Sequence, residues 1–170
     1  MSYFSDPNID YVYKAQIEVY GNPISGIFIA KRINETTHRI VFTTEFGNKL
    51  LDFEISDNNF KVNHIVDDLN KKIIVNTLKD DFQLLLRSNY KVVQVFENQS
   101  ALIYASKIAK NHYFLYEEKG NNLVHKLVKA SNYKEKVVVE FVLKSSTFAE
   151  KINISHKNIK LNITLNQIIN

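Results

Sequence analysis

The feature that most constrains this chain is an alternation of apolar and polar residues with a period of two. Between Tyr11 and Val19, apolar residues occupy every second position, and Lys14, Gln16 and Glu18 lie between them. Because successive side chains of a strand point to opposite faces, this pattern predicts a strand with one buried face. The pattern recurs along most of the chain, with turn residues about every ten positions, which is typical of a mainly β domain.

Five such segments come before residue 67. Short turns rich in glycine and asparagine separate them, among them Gly21-Asn22-Pro23 and Gly47-Asn48. Strands joined by tight turns pair antiparallel, so the first part of the chain is predicted to be a meander. The predicted strands are 11–19, 24–33, 38–45, 49–56 and 60–66.

The period then changes for one segment. From Asp67 to Leu86, apolar residues recur at spacings of three, four and five, which predicts one amphipathic helix over about residues 67–87, inserted after the fifth strand. Asp67 or Asp68 is expected to cap its start, and Arg87 suits the negative end of the helix dipole. The apolar stripe is expected to cover the concave side or one mouth of the sheet.

Alternation resumes after the helix and brings the total to about eleven strands. The segment 123–128 is compatible with a helix by spacing, but its neighbouring turns favour a strand. Antiparallel sheets of this size rarely stay flat, so we expect a closed barrel or a strongly curved half-barrel. Such a sheet often encloses an apolar cavity.

The 170 residues suit a single domain, over 9–170, preceded by a short polar tether over 1–8. The chain has no cysteine and no apolar run near the length of a membrane-spanning helix. The segment 1–7 has neither the basic nor the apolar region of a secretory signal. A lipoprotein whose signal peptide was removed, with Met1 in place of the acylated cysteine, would show the same N-terminal sequence pattern. We therefore expect the protein to be located in the cell envelope if a signal peptide was removed, and in the cytoplasm otherwise.

Charge is distributed unevenly. Residues 1–85 carry nine basic and twelve acidic side chains, whereas residues 86–170 carry thirteen and six. Only three of the 22 cations are arginine, the residue best suited to phosphate and base recognition, so nucleic acid is not the expected partner. The lysines of the basic half are compatible with binding to an anionic membrane surface or to an acidic partner. They are equally compatible with a strand face that is simply exposed to solvent. Its lysines include Lys126, Lys129, Lys134, Lys136, Lys144, Lys151, Lys157 and Lys160.

No catalytic or metal-binding motif is present in the sequence. There is no nucleophile elbow, P-loop or dinucleotide fingerprint, so no enzyme, catalytic residue or cofactor is predicted. The five histidines lack metal-ligand spacing, and His64 and His112 are interpreted as buried, hydrogen-bonded residues. The Asp67-Asp68 and Asp80-Asp81 pairs are interpreted as capping or solvated residues.

Two stretches resemble a known family. They are Gly26–Arg32 with Arg39–Ile55, and Leu69–Lys72 with Leu78–Phe82, within residues 24–86. These stretches are similar to uncharacterised envelope lipoproteins of Gram-negative bacteria, and the predicted architecture resembles the LolA/LolB-like half-barrel of the lipoprotein-localisation superfamily. The resemblance implies a concave face that carries acyl chains or lipoproteins. It assigns no ligand-binding residue.

Three functions follow as hypotheses. The first is a non-enzymatic outer-membrane lipoprotein domain that binds a lipid or acyl chain, or serves as an accessory subunit of an outer-membrane protein. Its membrane association would come from a removed N-terminal lipid anchor rather than a transmembrane helix. The second is a structural protein–protein interaction module whose barrel is filled by its own side chains. The third is a single-stranded nucleic-acid binder, which would show steep salt dependence. The twenty Phe and Tyr residues suit either a ligand or simple packing of the sheet.

Overall fold

Twelve strands form one antiparallel sheet in the computed structural model, which describes residues 3–145 and 147–168. The mainly β prediction is confirmed, with one strand more than the estimate of about eleven. The ambiguous segment 123–128 belongs to a strand. The strands are β1 (Asp10–Val19), β2 (Asn22–Arg32), β3 (His38–Thr43), β4 (Lys49–Ile55), β5 (Phe60–Ile65), β6 (Val92–Glu97), β7 (Ala101–Ile108), β8 (Asn111–Glu118), β9 (Leu123–Ser131), β10 (Lys134–Leu143), β11 (Ala149–His156) and β12 (Leu161–Gln167).

The sheet consists of two meanders joined through the first and last strands. Its order is β5-β4-β3-β2-β1-β12-β11-β10-β9-β8-β7-β6. The register of the join runs from Tyr13 opposite Gln167 to Val19 opposite Leu161. The edges β5 and β6 do not meet, so the sheet is a curved half-barrel and not a closed barrel.

The single helix α1 (Lys72–Leu86) follows β5, as predicted. It begins later than expected, and Lys71 at its N-cap position makes no side-chain capping bond. Asp67 and Asp68 lie in the turn before it, so their interpretation as caps is wrong. Arg87 directly follows the helix, and its backbone N–H donates to the Gln83 carbonyl at 3.1 Å.

The apolar stripe of α1 packs on the concave face of the sheet. Phe82 lies at its centre, with ring centroids 5.5 Å from Phe28 of β2 and 6.5 Å from Phe53 of β4. Leu78 and Leu85 on the same stripe are fully buried. The expectation that the apolar stripe of the helix covers the sheet is confirmed, and aromatic residues of β2 and β4 form the contact surface.

The concave face next to the helix is covered by Tyr3 and Phe4. Tyr3 stacks on Phe141 of β10 at 4.6 Å between ring centroids, and Phe4 contacts Tyr11 at 4.9 Å. The Phe4 carbonyl accepts a hydrogen bond from His38 Nε2 at 2.8 Å. These two residues therefore pack as part of the core, while the division into a tether over 1–8 and a domain over 9–170 stays a prediction.

Candidate functional site

An open cleft of about 640 Å³ lies between α1 and the part of the sheet formed by β9, β10 and β11. One wall is the exposed face of the first half of α1. The other is formed by β9 and β10, the end of β11 and the turns β7–β8 and β11–β12. The lining residues are Lys72, Ile73, Asn76, Thr77, Asp80, Lys110, Asn111, Lys129, Lys136, Val137, His156, Asn158 and Ile159.

Three aliphatic side chains give the cleft an apolar strip. Val137 is buried and belongs to the main core, and Ile159 packs against that core. Ile73 is different, because it stands on the helix wall with 53% of its surface exposed. A large aliphatic side chain left half open to water beside the core offers apolar surface to a ligand.

Lysines surround this apolar strip. Lys72 begins α1, Lys110 lies in the β7–β8 turn, and Lys136 is in β10. None of these three makes an ion pair with a residue that the structure describes. Lys129 of β9 is the exception, with its Nζ 3.5 Å from Asp80 Oδ2.

A buried pair, Asp81 and His156, joins the two walls. Nε2 of His156 lies 2.9 Å from Asp81 Oδ1, and its Nδ1 lies 2.7 Å from the Leu161 carbonyl oxygen. A carbonyl only accepts, so Nδ1 carries a proton. Burial by itself lowers the pKa of His156, but the hydrogen bond and negative charge of Asp81 outweigh it, and the pKa is raised. Burial also raises the pKa of Asp81. Both shifts keep the proton between Oδ1 and Nε2 bound.

Two sequence interpretations fail here. His64 and His112 are exposed, not buried, although Nε2 of His64 does lie 3.2 Å from the Lys49 carbonyl oxygen, within hydrogen-bond distance. Asp81 is 1% exposed and paired with a histidine, so it is neither a cap nor a solvated residue. Its neighbour Asp80 does face solvent. Adjacent helix residues point about 100° apart, and the sequence does not state which of the two meets the sheet.

The structure selects two of the predicted lysines for the cleft, Lys129 and Lys136. It adds Lys72 and Lys110, which sequence analysis did not single out. Because these four lysines belong to different elements, no local spacing in the sequence could have predicted that they lie in one cleft. The exposed Ile73 also escaped notice, because it fits the apolar stripe of the helix in the sequence.

A second cavity, of about 320 Å³, lies at the other end of α1 and is mainly polar. Arg32 lines it but donates to the carbonyls of Ser5, Asn34 and Glu35. Arg87 is paired with Asp57 at 3.2 Å. Both guanidinium groups therefore hold the protein's own chain together, and this cavity is the weaker candidate.

A metal-binding cluster and a membrane-spanning helix are both absent from the described residues. No group of three or more histidine, aspartate or glutamate side chains is arranged to hold a metal ion within 3–145 and 147–168. Over the same residues, no helix has the length and hydropathy to cross a membrane.

The fold defines a class, the open antiparallel half-barrel with a helix on its concave face. A LolA superfamily protein from Nitrosomonas europaea has this architecture, with a TM-score of 0.59 at 6% identity over 98% of this chain and 87% of that one. A putative outer membrane lipoprotein-sorting protein domain from Vibrio parahaemolyticus gives 0.52 at 5% identity, over 94% and 83%. A DUF1329 family protein from Desulfovibrio piger ATCC 29098 gives 0.45 at 8%, over 92% and 82%.

No family model matches the chain, and no curated protein matches it. At such low identities, the similarity to solved structures concerns the fold. The chain has the LolA-like fold, which confirms the predicted resemblance in architecture, while the similarity of the stretches within 24–86 to envelope lipoproteins stays a prediction.

Proposed function

We propose that this domain is a non-enzymatic binding protein of the cell envelope that holds a lipid or acyl chain in the cleft beside α1. The observation that carries the proposal is Ile73, which is 53% exposed on the cleft wall opposite Val137 and Ile159. The cleft volume of about 640 Å³ lies within the range of small-molecule sites. The names of the two neighbours with LolA-like folds support a role in lipoprotein handling.

Affinity would come from the removal of apolar surface from water. Each methylene buried in the cleft contributes about 0.8 kcal/mol, so the dissociation constant is expected to fall about fourfold per added methylene until the cleft is full. A titration with saturated fatty acids of increasing chain length measures this slope by calorimetry. A flat series would contradict the proposal.

Ile73 provides a sharper test. Ile73→Ser is expected to weaken fatty-acid binding about tenfold, because it removes apolar contact area from the cleft wall. Ile33→Ser is the matched control, since Ile33 is also an exposed isoleucine, at 45%, and does not line the cleft. Equal affinities for the two variants would show that the chain lies elsewhere.

The membrane side of the proposal has its own experiment. We propose an outer-membrane lipoprotein anchored by an N-terminal lipid, with an outer-membrane protein as its partner. Labelling with an alkyne fatty acid in the native host, followed by membrane fractionation, is expected to give labelled protein in the outer membrane. Unlabelled protein in the cytosolic fraction would contradict this localisation.

One observation favours a second candidate, a protein-interaction module. The concave face is already covered by α1, Tyr3 and Phe4, and the edge strand β6 leaves all six of its side chains exposed. Its apolar members include Val93 at 61% and Val95 at 51%. Native mass spectrometry of protein purified from its host envelope separates the candidates. A bound lipid supports the carrier, whereas a stoichiometric polypeptide without lipid supports the module.

A further inference from the structure

Four lysines from four separate elements converge on the cleft. Lys72 begins α1, Lys110 lies in the β7–β8 turn, Lys129 is in β9, and Lys136 is in β10. Only one carboxylate, Asp80, is among the lining residues that the structure describes. The cleft therefore has an excess of positive charge even though the whole chain carries only +4.

The acidic groups nearby are already engaged. Asp80 lies 3.5 Å from Lys129, and the buried Asp81 is bonded to His156. Lys72, Lys110 and Lys136 have no ion-pair partner among the described residues. Like charges gathered in one concave site raise the local potential and attract an anion.

The cations and the apolar strip are parts of the same walls. Lys72 and Ile73 both line the cleft from the helix, and Lys136 and Val137 both line it from β10, where the pairing with β9 is interrupted between Glu135 and Val137. Each wall thus contributes a lysine and an aliphatic residue to the cleft. This arrangement matches a molecule whose charged end and apolar chain are joined.

We infer that the cleft selects amphiphiles with an anionic head, a phosphate or carboxylate held by Lys72, Lys110 and Lys136 while the chain lies along Ile73. This inference rests on the proposed function and specifies its ligand class. The shared chemistry is a head with negatively charged oxygens, to which ammonium groups donate charge-assisted hydrogen bonds.

The test uses ligands that share one chain and differ in the head. Dodecyl phosphate, dodecylphosphocholine and dodecyl maltoside are titrated below their critical micelle concentrations, with inorganic phosphate as the anion without a chain. We expect dodecyl phosphate to bind about tenfold more tightly than dodecyl maltoside. This preference is expected to shrink as salt rises from about 20 to about 500 mM, because added salt shortens the Debye length and screens the attraction between the lysines and the phosphate.

The cationic rim of the cleft, formed by Lys72, Lys110 and Lys136, is tested with matched charge changes. The triple variant K72Q/K110Q/K136Q is expected to lose the preference for dodecyl phosphate and keep its affinity for dodecyl maltoside. Lys129 stays unchanged because it pairs with Asp80. The control K61Q/K91Q/K107Q removes three lysines that do not line the cleft and is expected to behave as the unaltered protein.

The outcomes separate the inference from the proposed function. If all three dodecyl compounds bind equally, and the rim variant binds them with the same affinities, the selectivity for an anionic head is refuted. The proposed acyl-chain site would remain supported. If inorganic phosphate binds as tightly as dodecyl phosphate, the inference that the ligand is an amphiphile is refuted, and the cleft binds a free anion instead. Absence of binding by any of the four ligands would overturn both.

Discussion

Asp81 of α1 and His156 of β11 are 75 positions apart in the sequence, and their side chains meet at 2.9 Å in the interior. The side chains are 1% and 3% exposed. Oδ2 of Asp81 is buried without a hydrogen-bond partner among the described residues, so this carboxyl group is stabilised by its bond to His156 and by the positive charge of Lys129. The pair is a buried polar link between α1 and the end of β11.

The first prediction concerns alkaline pH. The pKa of His156 is raised in the folded state, so its contribution to stability is complete below the ordinary histidine pKa of about 6.5 and is lost as the pH rises through the folded value. Urea unfolding between pH 6 and pH 9 is expected to show a falling free energy of unfolding. Asp81→Asn should remove this fall, because an amide donates to neutral Nε2 at every pH.

Asp80→Asn is the control for this experiment. Asp80 is the exposed neighbour on the helix and pairs with Lys129, whereas His156 pairs with Asp81, so the Asp80 variant is expected to keep the alkaline loss. His156→Ala leaves Asp81 buried without its partner and is expected to cost about 3 kcal/mol. A pH profile of Asp81→Asn parallel to that of the unaltered protein would refute the assignment.

A second prediction concerns how α1 is held. Phe82 is fully buried between Phe28 and Phe53, so Phe82→Ala is expected to lower the free energy of unfolding by about 4 kcal/mol through lost burial and the cavity left behind. Denaturant melts followed by circular dichroism measure it. Thr77→Ala on the exposed helix face is the comparison and should change stability by less than about 0.5 kcal/mol.

A third prediction concerns the spacing of β2 and β3. A Cβ added at Gly26 would come within 1.9 Å of the Thr43 carbonyl oxygen, a backbone atom that cannot move without separating the strands. Gly26→Ala is expected to destabilise the protein by about 3 kcal/mol. Ser25→Ala, at the exposed neighbouring position, should be nearly neutral. A stable Gly26→Ala protein would show that the two strands are spaced differently.

A fourth prediction concerns acid. Two hydrogen bonds from Arg39, at 2.9 and 2.7 Å, hold the pKa of Asp52 well below its usual range, with Lys49 at 2.9 Å assisting. This stability is present above the ordinary aspartate pKa of about 3.9 and is lost as the pH falls toward the folded value. Asp52→Asn is expected to cost about 2 kcal/mol at pH 6 and roughly half as much at pH 2.5, where the unfolded carboxyl group is protonated but the folded one is still largely ionised.

Asp10→Asn is the matched control for the acid series. Asp10 also pairs with a lysine, Lys31 at 2.8 Å, but both side chains are about half exposed, and such surface pairs contribute little. The difference between the unaltered protein and the Asp52 variant should therefore shrink on acidification while the Asp10 difference stays near zero. Parallel curves for Asp52→Asn and the unaltered protein would count against the buried network.

The local pattern of the sequence determined the secondary structure and the general architecture. Alternation predicted the strands, and the change of period predicted α1, because both depend on residues close together in the chain. The precise helix start was missed, since Asp67 and Asp68 look like caps whether or not the chain turns helical there. Alternation also identified one apolar face per strand without revealing that β6 remains uncovered.

The site itself depended on the tertiary structure. Only the packing of α1 decides that Asp81 is buried and Asp80 is not, and only the sheet order brings β11 to it. The four cleft lysines are up to 64 positions apart and carry no shared spacing. Short-range periodicity encodes what each segment becomes, whereas a binding site is made by long-range contacts that follow from the burial of the whole core.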